Sequence, residues 1–160
     1  MTSLPDRYSG FSLIEVTLAL GVAVISLLAI FALLPVGLQT SQNANQQTIS
    51  SDIISAVVSD LRATPPTIPR GSAATSTQFG INIPANPNGA SVASTVYFDS
   101  TGRSTPAIDA NSRYRLTITF LPNAGIRSAT LVDLKTTWPA VANPVDAGGS
   151  NEIFVALDRN

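Results

Sequence analysis

The residue whose type and setting most invite a chemical role is Glu15, four positions after Phe11 in an otherwise apolar run. It precedes 36 consecutive residues without a formal charge, a gap closed only by Asp52. An acid at the centre of a membrane helix costs roughly 2.5–3.5 kcal/mol, less near an end, so a carboxylate there calls for a positive partner. If Glu15 instead lies at the headgroup level, plain solvation suffices. The remaining acids of the C-terminal part, Asp99, Asp109, Asp146, Glu152 and Asp158 among them, are scattered through turns and strand ends. The spacing of Asp146–Glu152 matches no calcium loop, and turn chemistry accounts for these residues as well. No pair is marked out for two-carboxylate glycosidase work, and no glycine-rich phosphate loop occurs. The chain has no His and no Cys, which removes zinc sites, thiolate nucleophiles, iron–sulfur ligands and Ser-His-Asp triads. Nine Lys+Arg against ten Asp+Glu supply no basic stripe for nucleic acid. No catalytic residue, metal or cofactor is expected, and the chain does not read as an enzyme.

The element that must position Glu15 is the apolar span itself. Phe11–Leu38 holds 21 apolar residues among 28, interrupted by Ser12, Glu15, Thr17, Gly21, Ser26, Pro35 and Gly37. About 20 such residues cross a bilayer core. Apolar residues surround the helix on every side from Val16 to Leu34, unlike a surface helix with one wet face. A cleaved secretory signal would be shorter and end in a small-residue site, whereas this run continues through Leu33-Leu34-Pro35-Val36-Gly37. Asp52 and Asp60 follow the span with no Lys or Arg before Arg62, while Arg7 and the amino terminus precede it. That asymmetry favours an N-terminus in the cytoplasm and the larger part outside.

Gly10-Phe11-Ser12-Leu13-Ile14-Glu15 followed by an apolar helix resembles the prepilin signature of type IV pilins and of the pseudopilins of type II secretion. The resemblance implies that a prepilin peptidase cuts after Gly10 and N-methylates Phe11. It makes residues 1–10 a short leader and Glu15 the fifth mature residue. It also implies that Glu15 compensates the Phe11 ammonium of a neighbouring subunit, a register-setting contact, because either charge is costly alone in hydrocarbon. Ser12 stands where Thr is commoner, and Asp6 makes the leader less basic than usual. Leu33-Leu34-Pro35-Val36-Gly37-Leu38 is similar to the Verru_Chthon cassette group of pilin-like proteins. Some major pseudopilins bind calcium in a C-terminal loop, which directs attention to Asp146–Glu152.

Pro35 and Gly37 are expected to act as helix breakers that kink or locally unwind the helix. Past a polar stretch at Gln39–Thr48, Ile49, Ile53, Val57 and Leu61 recur every fourth residue, with Ile54 and Val58 widening an apolar stripe. Pro65-Pro66 then ends the helix. Thr64–Ser91 reads as a loop with at most one short strand near Gln78–Ile83. Alternation predicts strands at 92–98, 114–120 and 132–138, and a short one at 153–157 after a Gly148-Gly149-Ser150-Asn151 turn. Trp138 reads as a core or edge residue. The expected fold is α+β and pilin-like: a long N-terminal helix, membrane-spanning and then amphipathic, packed on a small antiparallel sheet. The divisions are residues 1–10, 11–38, 39–63 and a β-rich head at 64–160.

The expected function is a structural subunit, a minor pilin or pseudopilin of a type IV pilus, type II secretion or related filament. Its expected partners are the prepilin peptidase, other pilin or pseudopilin subunits, an inner-membrane assembly platform and membrane lipid. Its location would be the inner membrane, then a periplasmic or cell-surface filament. A single-pass anchored binding module that never assembles is the alternative; a membrane-anchored enzyme has no residues to support it.

Overall fold

The structure, a computed structural model, describes residues 10–65, 72–85, 91–105, 107–122 and 129–158. It contains one long N-terminal helix and a small antiparallel sheet, an α+β layout. Helix α1 covers Leu13–Ala63. Strands β1 (Ala74–Thr75) and β2 (Asn82–Ile83) form a short hairpin. Strands β3 (Val92–Phe98), β4 (Ser104–Thr105), β5 (Tyr114–Phe120), β6 (Thr130–Trp138) and β7 (Gly149–Leu157) form a five-stranded sheet in the order β4-β3-β5-β6-β7. The chain divides into two compact units, Met1–Ala44 and Asn45–Asn160, and α1 contributes to both.

In the second unit the apolar stripe of α1 does what its fourfold spacing predicts. Ile53, Ile54, Val57, Val58 and Leu61 are buried in one cluster with Phe98, Leu116, Ile118, Phe120, Val132 and Leu134. Ile49, at the start of the stripe, is only partly buried. Strand alternation decides the faces: on β5, Tyr114, Leu116, Ile118 and Phe120 are buried while Arg115, Thr117 and Thr119 are half-buried on the other side. That second face is held by polar contacts, with the Arg115 guanidinium 5.8 Å from the Tyr97 ring centroid and Lys135 Nζ 2.9 Å from Glu152 Oε2. The ion pair is well exposed and contributes at most about 1 kcal/mol. Burial first, and Glu152 second, push the Asp133 carboxyl above the usual range, with Lys135 opposing them.

Asp60 lies off the apolar stripe yet is buried at the end of α1. A carboxylate in the last turn sits at the unfavourable end of the helix dipole. Its oxygens accept hydrogen bonds from the backbone N–H of Gln78 (3.0 Å) and Phe79 (3.1 Å) and from the Thr77 hydroxyl (3.3 Å). Burial raises its pKa, but bonds from Ser76, Gln78, Phe79 and Thr77 outweigh that and hold the carboxyl below the usual range. Asp60 thus ties the turn before β2 to the helix, and Phe79 from that turn meets Phe98 edge-on at 5.6 Å.

Several local expectations are revised. Gly149, Ser150 and Asn151 are not a turn but the first residues of a nine-residue β7, paired with Trp138, Thr137 and Thr136. Backbone pairing with a long β6 recruits them despite their turn-forming types. Trp138 is buried and meets Tyr114 edge-on at 6.0 Å. Its ring lies where a Cβ on Gly149 would come within 2.4 Å, so Gly149 is required for close approach rather than for a turn. The Gln78–Ile83 region supplies a turn at Thr77–Phe79 and a strand at only Asn82–Ile83, paired to a β1 that no alternation announced. The turn after β3 forms as its residues predict: Asp99 Oδ1 accepts from Thr101 N and Arg103 N, and Gly102 takes φ +84°.

Two stability predictions follow from this packing. Gly149→Ala should cost about 1–3 kcal/mol, because the indole must move, and should lower the Tm of the full chain in detergent by several degrees. The Asp60 contribution should be complete above about pH 4, the unfolded carboxyl value, and should fade as pH drops through the lower folded value. Asp60→Asn should flatten that acid limb and destabilise the neutral protein by about 1–3 kcal/mol, read by thermal melts from pH 7 to pH 2.

Candidate functional site

The candidate site is the start of α1 and the apolar surface that follows it. Gly10, Phe11 and Ser12 are non-helical and exposed, and the helix begins at Leu13. Ser12 occupies the N-cap: its carbonyl accepts from Glu15 N at 3.0 Å and Val16 N at 3.2 Å. Glu15 reaches back, and its Oε2 accepts from the Ser12 backbone N–H at 2.9 Å. This is the reciprocal half of a capping box, in which the third helical residue satisfies the N–H of the cap residue. The Ser-x-x-Glu spacing that announces it is legible in the sequence; reading Glu15 only as a membrane charge misses it. The carboxylate therefore has a partner within its own chain, on the peptide that follows the proposed cleavage junction. Residues 1–9, on which the expectation of a leader rests, lie outside the described residues.

From Phe11 to Leu38 every large apolar side chain is exposed, from 48% at Val24 to 87% at Phe11. Burying one such side chain is worth about 1.5–3 kcal/mol. Seventeen of them left in water would forfeit tens of kcal/mol, against a typical domain stability of about 5–15 kcal/mol. A cover of lipid or of other helices would remove that cost. One helix among the described residues is long and apolar enough to cross a membrane, and it is α1. The 26 residues from Leu13 to Leu38 span roughly 39 Å at about 1.5 Å each, more than the ~30 Å hydrocarbon core.

The polar side chains in this stretch are consistent with a dry surrounding. Thr17 Oγ1 donates to the Ile14 carbonyl (2.9 Å), Ser26 Oγ to Val22 (2.8 Å) and Thr40 Oγ1 to Val36 (2.9 Å). Each hydroxyl returns its proton to the preceding turn, so none presents a bare donor to hydrocarbon. Pro35 and Gly37 sit inside α1 and neither ends it. The expected local unwinding is absent. Proline removes one N–H, that facing the Phe31 carbonyl, and the turns on either side keep the helical state.

Three of the head carboxylates serve local structure. Asp99 organises the turn after β3, Asp109 Oδ1 accepts from Asn111 N (2.9 Å) and the Ser112 hydroxyl (2.9 Å), and Glu152 pairs with Lys135. Among the described residues no three acids gather into a metal-sized group. Asp146 stands in the turns between β6 and β7, where its N–H donates to the Asn143 carbonyl, while Glu152 stands within β7, so the two ends of the Asp146–Glu152 stretch belong to different elements.

No family model matches the chain, and no curated protein or solved structure matches it.

The Ser12–Glu15 contact generates a local test. Glu15→Ala removes the acceptor and should speed exchange of the Ser12 amide by roughly an order of magnitude, the size of a lost cap contact. Glu15→Gln keeps an acceptor oxygen and should exchange close to the parent rate, measured by amide hydrogen exchange in micelles.

Proposed function

We propose that the chain is a structural subunit of a pilin-like filament, a minor pilin or pseudopilin, cleaved between Gly10 and Phe11 and assembled through α1. The observation that carries this reading is the junction itself. Gly10 and Phe11 are exposed and non-helical, two residues ahead of a helix whose next 26 residues the chain leaves uncovered. A peptidase needs extended, accessible backbone at the scissile bond, and a filament needs an apolar helix that copies of the chain can share. Both requirements meet within the first 38 residues.

In this reading the capping box and the assembly contact use the same carboxylate in sequence. Before assembly Glu15 holds the Ser12 N–H; after cleavage the ammonium of Phe11 on a neighbouring copy offers it a charged partner. A charge-assisted bond in a low-dielectric environment is stronger than the neutral N–H contact it joins or replaces. The chain would insert with its N-terminus in the cytoplasm, be processed by a prepilin peptidase at the inner membrane and pass to an assembly platform. Pro35 would give α1 a weakened turn past the middle of the apolar span, where bending is least resisted.

The test is the mass of the mature N-terminus. In cells containing a prepilin peptidase, the protein should lose Met1–Gly10 and carry one methyl on Phe11. An intact N-terminus in such cells would favour an anchored binding module that stays unassembled. Glu15→Ala should leave insertion and cleavage unchanged while depleting the subunit from sheared filaments; undiminished incorporation would remove Glu15 from the assembly contact.

A further inference from the structure

The sheet has two edge stretches that run in opposite directions. On one side of the sheet β4 pairs only with Tyr97 and Phe98 of β3. The stretch Val92–Val96 therefore has β5 on one flank and, among the described residues, no hydrogen-bonded strand on the other, where cavities set it apart from the β1–β2 hairpin at Val92 and from Gln78 and Phe79 at Thr95 and Val96. On the opposite side β7 is the terminal strand over its whole length, Gly149–Leu157. Neither stretch has a backbone hydrogen bond outside its ladders among the described residues.

Natural edge strands avoid pairing by carrying lysine, proline or a bulge. Strand β7 has none of these. It contains no Lys or Pro, and it pairs with β6 in nine consecutive positions with no residue inserted. Its one charge, Glu152, is already neutralised by Lys135. Val92–Val96 is likewise free of charge and proline. Next to the β7 edge, on the face turned away from the core, Phe154 is 67% exposed and Leu131 49%. On the same face at the other edge stand the small side chains Ala93 and Thr95.

We propose that these edges join, β7 of one copy to Val92–Val96 of β3 on the next, so that the heads of successive copies share one antiparallel sheet. Strand parity allows a second copy to add in the same orientation. Strands β3, β5, β6 and β7 are antiparallel in turn, so β7 runs opposite to β3. A second head added without inversion sets its β3 antiparallel to the first head's β7 and continues the alternation. Phe154 then lies over Ala93 and Thr95, which leave room for it, while Ile153 and Val155 extend the buried face beside Val92 and Val96. Such a contact is head-to-tail and does not close at two copies. It goes beyond the proposed filament role and does not depend on cleavage at Gly10.

The chain has no cysteine, so introduced thiols are unique. Full-length Thr95→Cys/Ala156→Cys protein, reconstituted in lipid vesicles and treated with a short bismaleimide, should give a ladder of dimers, trimers and larger species. Each single variant should stay monomeric. Adding Phe154→Lys, which places a charge where natural edges carry one, should cut the ladder by roughly tenfold, with an unchanged circular dichroism spectrum. Dimers from Ala156→Cys alone would mean β7 pairs with itself and would overturn the proposal. So would a double variant that yields no ladder while its spectrum matches the parent's. The N-terminal mass test is independent of both outcomes, so failure of one reading leaves the other intact.

Discussion

The rest of the molecule is organised around an apolar helical surface that the chain does not cover. The core cluster of the second unit takes in the stripe from Ile53 to Leu61, with Ile49 partly buried, while the large apolar side chains from Phe11 to Leu38 are exposed. The free energy at stake in leaving that surface in water is several times the stability of an ordinary domain. The polar details of the span agree with that demand. The Thr17 and Ser26 hydroxyls are bonded back to the helix, and Glu15 accepts the Ser12 N–H at its start. One helix thus has two kinds of surroundings, and the change falls within the polar, uncharged residues of Gln39–Thr48.

Glu15 satisfies a local rule, and the proposed assembly contact would ask a longer-range role of the same side chain. Its position as third helical residue after Ser12 makes it a capping acceptor whatever lies outside the chain. Its position at the head of a charge-free span makes it the place where an incoming cation would be most strongly felt. These roles are compatible because a carboxylate has two oxygens and accepts more than one donor. Asp60 plays the corresponding part at the other end of α1, where a buried acid is sustained by N–H groups from a distant loop.

The elements with strong periodicity were legible without coordinates. The alternation of Tyr114–Phe120 and the fourfold spacing from Ile49 to Leu61 each name a face that must be buried, and each face is in the core. Elements defined by a partner rather than by their own pattern were not legible. The two-residue strands β1, β2 and β4 have too few residues to show a period. The start of β7 has turn-forming residues that become strand because β6 continues opposite them. At the candidate site the carboxylate and the apolar length were readable, and so was the Ser-x-x-Glu cap spacing that a reading of Glu15 as a membrane charge passes over. The burial of Asp60 was not, since its donors come from residues 17 to 19 positions later.

The sequence by itself determined that a membrane-length apolar span lies at the N-terminal end, and that Glu15 is the only charge within it. Both are properties of composition and local order, which no folding can alter. Tertiary structure alone decided which polar residues are buried and why Gly149 has no side chain. It also decided that Val92–Val96 of β3 and the whole of β7 lie along sheet edges and run in opposite directions. Those facts depend on which segments meet in space, and hydrogen-bond pairing between distant strands leaves no mark on either strand read alone.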